Sequence, residues 1–576
     1  MPDDSSAAGE QTPLLASSRS SAKPDSNGTV APAPPDTAAG KGTSAVDNGI
    51  GVIRGIAITI ATGVLIFFQA TNMSMITTIQ SSIAADLDAY EEVTWFTSAY
   101  LVSMSSFAPI MGRLSATFSP RRCIFYATIF FAVGSLIAAF ARSFKEFIVG
   151  RAVQGIGGAG VFSVAIIIVL QLASTEKRGL LIGMLNSGYT VGVALGAIVA
   201  GALLPLTGWR FVFWIQAPFT FVAGFVLLFA IPKAFSKNKS SGKESIPLAR
   251  KLLRLDYVGA LALIGGITFL LIGLSASKIL VIPIIISLIL LPLFVLNEIY
   301  IAKDPIIPVI VLKSRGVLLS CLATAGFMMC RWCVLFYTPV YSIAVRGWSP
   351  ATAGTILIPT NGGFALGGLV VGWIHIRRAG SFYAACVVTF VLFPITLLIL
   401  SLASTPSIHP AVYVLATFAN GLTVGAALNY TLAHVLHLTL PESHFIVSAL
   451  LATFRGFAGS FGSAIGGGVF SRILRATLED GFAKEGLTGE GPLIRKLLGS
   501  PALVKQLTGV EKAVAVTGYV SAIRGLFASA AGLAAVFILA QAGTGWRGPN
   551  DKSKDEEEDA NEGVAVTFAG GGQQHF

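Results

Sequence analysis

Residues 123–141 read CIFYATIFFAVGSLIAAFA, nineteen residues without a charge. At about 1.5 Å of rise per residue, a helical run of that length crosses most of the roughly 30 Å hydrocarbon core of a bilayer. Comparable runs recur along the whole chain. They fall near 54–79, 93–112, 123–141, 147–172, 180–204, 210–231, 257–275, 279–300, 317–341, 352–374, 382–402, 410–438, 445–471 and 517–540. Backbone amides cannot find water in lipid, so each run must satisfy its own hydrogen bonds, and a helix does this within one segment. The expectation is an all-α membrane protein with fourteen transmembrane helices. Charged residues are only 12% of the chain, where a soluble domain carries about a quarter.

The charges sit between the runs. With both termini cytoplasmic, the short loops on that side hold seventeen Lys and Arg, against five on the other side. That asymmetry sets the orientation. The net charge of +11 is therefore a topology signal and does not mark a nucleic-acid surface. Residues 1–50 and 541–576 read as disordered cytoplasmic tails, the second acidic, and 232–256 as a basic cytoplasmic linker. The stretch 472–516 is expected to be a long amphipathic loop on the far side.

An internal repeat organises the spans. GWIHIRRAG at 372–380 echoes GRLSATFSPRR at 112–122, each opening on glycine, carrying an apolar residue two positions on and holding an Arg-Arg pair. The glycine spacing of span five, at Gly188, Gly192 and Gly196, returns in the glycine-studded span thirteen. Both pairings are eight spans apart. The chain thus divides into a six-helix half over 51–231, an inserted pair over 257–300 and a second six-helix half over 301–540. Two repeated halves around a central site are the architecture of a secondary transporter.

Five motifs carry a family resemblance over roughly residues 50–545. They are GRLSATFSPRR after span two, RAVQGIGGAG in span four, GYTVGVALGAIVAG in span five, TGWRFVFWIQAP at the start of span six and LDYVG at the entry to the inserted pair. In their order and spacing the chain resembles the major facilitator superfamily, in its fourteen-span drug:proton-antiporter branch. Within that branch it is most similar to fungal vacuolar amino-acid transporters. The resemblance implies gating or coupling roles for Arg113, Arg121, Arg122, Arg151, Gly188, Gly192, Gly196 and Arg455. It also shows departures. The hinge aspartate of the family is Ala116, its second hinge glycine is Ser119, the usual first-span aspartate is Asn72, and a span-five proline is Ile198. No Asp or Glu falls near the middle of any span, although proton coupling commonly uses an intramembrane carboxylate or histidine. Either another group couples the proton, or the carrier is a facilitator.

Polar groups inside the spans are the candidate solute contacts: Asn72, Gln154, Arg331, Trp332, Asn361, Asn420 and Asn429, with Asn186 as a further amide. Interhelical hydrogen bonding is the competing role for each amide. Arg331 lies some fourteen residues into span nine and has no acid nearby in the sequence, which suits an anionic solute group. Its alternative role is pairing with carbonyls at a broken helix. Trp332 either lines the same cavity or faces lipid. His434 and His437 stand near the end of span twelve and could carry protons or sit at the interface. GIGGAG at 155–160 lies within one apolar run and has no strand before it, so it reads as a helix-packing motif, not as a dinucleotide loop. Cys330 and Cys333, lacking a companion cluster, read as small packing residues. No metal or cofactor is expected, and no catalytic constellation appears.

EQTPLL at 10–15 fits an acidic dileucine address formed by Glu10, Leu14 and Leu15. The leading expectation is a carrier for a small solute, an amino acid by resemblance, in a vacuolar membrane by alternating access, with proton coupling in the family's manner. The alternative is an efflux transporter for toxic or secondary metabolites at the plasma membrane. A non-transporting sensor on the same scaffold is the remaining class.

Overall fold

A computed structural model describes residues 52–172, 178–232, 256–275, 279–302, 314–372, 382–440, 444–487 and 489–546. All regular structure in them is helical. The elements are α1 (Val52–Ser74), α2 (Ile76–Asp86), α3 (Val93–Thr117), α4 (Pro120–Phe140), α5 (Phe144–Leu172), α6 (Arg178–Trp214) and α7 (Gln216–Ala230). Then come α8 (Tyr257–Ser275), α9 (Val281–Tyr300), α10 (Arg315–Ala344), α11 (Pro350–Gly354), α12 (Leu357–Val370) and α13 (Tyr383–Ala403). The last are α14 (Pro410–His437), α15 (His444–Lys484), α16 (Gly491–Gly499) and α17 (Gly509–Ala542).

Eleven described segments are long and apolar enough to cross a membrane, fewer than the fourteen expected. Two physical reasons account for the difference. Ser187–Ala230 counts as one 44-residue segment, although Gly208 breaks its helix with φ 77° and ψ 168°. Only glycine enters that region readily. Helices α3 and α15 fall outside the eleven. Both are rich in Ser, Thr and Gly, which lowers their apolarity but suits a helix–helix seam.

The helix pairings repeat. In the first part α1 packs on α6 and α7, α3 on α5, and α4 on α5 and α7. In the last part α10 packs on α15 and α17, α12 on α14, and α13 on α14 and α17. The two groups meet along two seams. One joins α3 to α15, where Ser98 and Ser463 share a 2.8 Å hydrogen bond and the Ser105 hydroxyl donates to the Gly456 carbonyl at 3.2 Å. The other joins α6 to α11, where a Cβ on Gly201 would stand 2.6 Å from the Ala351 nitrogen. Helices α8 and α9 pack on each other, and α8 leans on the α3–α15 seam.

Close backbone approach within the groups depends on glycine. A Cβ on Gly192 would lie 2.8 Å from the Ala70 Cβ, and one on Gly196 would lie 2.8 Å from the Thr71 Cα, so both bring α6 against α1. Gly188 has nothing within 4 Å. In GIGGAG, Gly155 and Gly157 press on the backbones of Tyr100 and Phe131, which is the packing role. Cys330 and Cys333 are free thiols that point at different neighbours: the Sγ of one lies 3.3 Å from the Ala530 carbonyl, and that of the other 3.6 Å from the Gly462 carbonyl.

The expected loop 472–516 is mostly helical. Helix α15 continues to Lys484, α16 and a 3-10 turn at Pro501–Gln506 follow, and α17 already begins at Gly509. Amphipathic sequence with repeated apolar positions forms helix wherever it can lay its apolar side on a partner. The partner here is the turn between α2 and α3. Arg495 donates to the Asp88 carboxylate and to its carbonyl, each at 3.0 Å, and this pairing holds the arginine above its ordinary pKa. A Cβ on Gly499 would fall 2.5 Å from the Tyr90 Cα, and the Tyr519 hydroxyl donates to the Leu497 carbonyl. Arg475 adds a 3.0 Å ion pair to Glu91. These contacts cap one face of the bundle. Beneath the cap a cavity of about 50 Å³ lies between the helix groups, lined by Thr77, Thr97, Tyr337, Ser463 and others.

Candidate functional site

Two buried arginines, one in each helix group, set the polar interior. Arg151 is on α5 with no exposure at all. Its Nε donates to the Phe96 carbonyl at 2.9 Å, one terminal nitrogen to Asn72 Oδ1 and Gln154 Oε1 at 2.8 Å each, and the other to the Asn72 carbonyl at 3.2 Å. Gln216 on α7 accepts from both Asn72 and Gln154 and donates to the Val212 carbonyl at 2.8 Å. The guanidinium lies 4.6 Å from the Tyr100 ring centre. Every oxygen it meets is an amide or carbonyl oxygen. A charge at this depth costs about 2.5–3.5 kcal/mol even on the mild insertion scale, and the dense donor–acceptor network offsets it. The sequence places Gln154 one turn from Arg151 on the same face, and the fold brings Asn72 to them from α1. Gln216 was missed. It stands in the quoted motif TGWRFVFWIQAP, and a buried amide in an apolar stretch was the available signal.

Arg331, on α10, is 4% exposed and differently placed. One terminal nitrogen donates to Asn361 Oδ1 on α12 at 2.8 Å. The guanidinium stacks over the Phe364 ring at 4.1 Å from its centre. The other terminal nitrogen is buried with no hydrogen-bond partner among the described residues. Arg455 on α15 and Tyr189 on α6 are close enough to act on it electrostatically. Tyr189 belongs to the first helix group, and its hydroxyl meets only the weak acceptor Met73 Sδ, at 2.7 Å. The cluster therefore draws on both groups. Arg331, Asn361 and Arg455 were each named from sequence. Tyr189 and Phe364 were not: Phe364 carries no polar signal of its own, and the available signal for Tyr189 was its hydroxyl within the quoted motif GYTVGVALGAIVAG.

The remaining candidates are dispersed. Trp332 is buried against α15, where a Cβ on Gly462 would stand 2.8 Å from its own Cβ, and it stacks on Phe336. It therefore does not face lipid. Asn420 donates to Thr396 Oγ1 at 3.0 Å, with its Oδ1 unpartnered. Asn429 donates to the Gly425 carbonyl and rests against Gly368. His434 is buried 3.0 Å from Thr544 Oγ1. Arg113 and His437 make contacts of their own near the same end of the bundle, the Nε of Arg121 is buried without a partner, and Arg122 is exposed. The side chains of Ala116 and Asn186, the residues Glu10, Leu14 and Leu15 expected to form a sorting address, and the echo loop beyond Gly372 lie outside the described residues.

A family model described as Major Facilitator Superfamily matches residues 62–463. The chain belongs to the Major Facilitator Superfamily. It is a multi-pass membrane transporter of that superfamily, whose members carry small solutes. Relatives within the superfamily include MFS transporter L2 of a Phoma species, 26% identical over 74% of this chain and 71% of that protein. The efflux pump apf11 of Gibberella fujikuroi is 30% identical over 52% of this chain and 55% of the pump. Among solved structures, a bacterial homologue of the human lysosomal transporter Spinster superposes with a TM-score of 0.60 at 14% identity, over 86% of this chain and 98% of that one. The superfamily expectation thus holds. The narrower likeness to vacuolar amino-acid carriers does not recur among these relatives, one of which is an efflux pump.

Proposed function

We propose that this superfamily member moves an organic metabolite out of the cytoplasm by alternating access between two six-helix halves. The observation that carries the reading is the Arg331 cluster: a buried charge with a donor left over among the described residues, with neighbours from both helix groups. A carrier that rocks its halves needs a polar contact where they meet. The name of the apf11 relative supports export over amino-acid uptake. Fourteen crossings result when the 187–230 segment is divided at Gly208 and α3 and α15 are added to the apolar segments. Both termini then lie on one side, and the loop charges make it the cytoplasm. The capped face is the far side. The roles assigned to Arg151 and its amides are structural support of the first half, and proton coupling, if present, uses a group other than an Asn72-position carboxylate.

The test is transport by purified protein in proteoliposomes, with and without a proton gradient, over a panel of organic acids, bases, neutral metabolites and amino acids. Movement of an organic metabolite supports the reading. Movement of amino acids alone returns the carrier to the amino-acid class, and transport of nothing on the panel removes the export assignment.

A further inference from the structure

Resting on the reading above, we infer that the Arg331 cluster is a binding site for an oxyanion, a carboxylate or phosphate group, carried by an apolar organic solute. Four observations converge. Arg331 keeps one buried terminal nitrogen without a partner, so the site has a charged donor left over. A second guanidinium, Arg455, acts on it, and the two repel. No carboxylate is among the described groups acting on either arginine. The walls are aromatic and sulfur-bearing: Phe364 under the guanidinium, Tyr189, and Met73 beyond it.

Contrast with Arg151 sharpens the point. There, amides and carbonyls take four hydrogen bonds from one guanidinium, and no charged donor is left without a partner. That arrangement is complete by itself. Around Arg331 one amide oxygen and one ring face serve a charge that has a like charge as its neighbour. An unpartnered buried charged donor is costly, and an oxyanion seated between Arg331 and Arg455 would remove both the missing hydrogen bond and the repulsion. A planar guanidinium presents its donors as a fork to such a group. A cationic solute would add a third positive charge to the same space. The Tyr189 hydroxyl could turn from sulfur to the anion, which would tie the solute to the first helix group.

The probes are 1-naphthoate, 1-naphthyl phosphate, 1-naphthamide and 1-naphthylmethylamine, with a short series of aliphatic carboxylates, added to the purified full-length protein. Binding is read by calorimetry and by the shift in thermal midpoint. At least one oxyanion should bind ten-fold or more tightly than the matched amide and amine, and which acid binds better identifies the headgroup. Arg331→Met should fold as well as wild type, because it deletes a buried charge of similar length, yet lose that preference. Arg455→Gln should weaken it in the same direction. The inference is overturned if the amide or amine binds wild type as well as the acids, if no acid binds, or if a well-folded Arg331→Met keeps the preference. A wild type that shows no preference for the acids yet exports neutral or cationic solutes in proteoliposomes would sink the anion site alone. An oxyanion that binds but is never carried would leave the site and sink the transport reading.

Discussion

Gly362 and Gly363 are adjacent on α12, and replacing each with alanine should have opposite effects. A Cβ on Gly362 meets nothing within 4 Å. One on Gly363 would fall 2.2 Å from the Phe418 carbonyl oxygen on α14. Carbon and carbonyl oxygen settle at about 3.3–3.6 Å, so α12 must withdraw from α14 by about 1 Å. Overpacking of this kind costs about 1–3 kcal/mol. Alanine in place of glycine inside a helix returns about 1 kcal/mol at either position. Gly362→Ala should therefore match or exceed wild type in stability. Gly363→Ala should fall below Gly362→Ala by about 1–3 kcal/mol, since the helix gain is common to both. Thermal unfolding followed by size-exclusion of detergent-solubilised protein gives the ordering. The close approach is reciprocal, because a Cβ on Gly421 of α14 would lie 2.0 Å from the Thr360 carbonyl, so Gly421→Ala should behave like Gly363→Ala. Since Asn361 sits between these contacts and holds Arg331, transport should drop along with stability. Equal midpoints for Gly362→Ala and Gly363→Ala would refute the glycine-seam argument.

Other expected outcomes follow from the same structure. Asn72→Ala removes an acceptor from buried Arg151 and should lower stability by about 1–3 kcal/mol; combining it with Arg151→Met should recover part of the loss, and strict additivity in thermal unfolding would argue against the network. Arg495→Glu places a carboxylate against Asp88 and should loosen the cap, so that a cysteine introduced at Thr97 in the cavity below reacts faster with a membrane-impermeant maleimide; unchanged labelling would show that the cap does not control access. Leu14→Ala with Leu15→Ala should move the protein from an internal membrane to the cell surface under the microscope, and unchanged localisation would remove the sorting role of Glu10, Leu14 and Leu15.

Length and apolarity of the runs were enough to give the all-helical membrane class, because lipid leaves the backbone no alternative to internal hydrogen bonding. The motifs RAVQGIGGAG and TGWRFVFWIQAP pointed to the superfamily. Deep placement of Arg331 was also legible, since a charge some fourteen residues into an apolar run is anomalous in any fold. The position of a residue along a span says nothing about which neighbour it faces. Arg151 opens its span and Arg331 lies deep in its own, yet depth alone does not say what either one meets. Only tertiary structure surrounded the first with Asn72, Gln154 and Gln216 from three helices, and gave the second an arginine neighbour and a free nitrogen. The helical cap formed by Gly491–Gly499 and Pro501–Gln506 was read as a loop for the same reason. Its short amphipathic stretch has too few apolar residues to declare a helix alone, and it acquires one by resting on the α2–α3 turn, a contact made across some four hundred residues of chain.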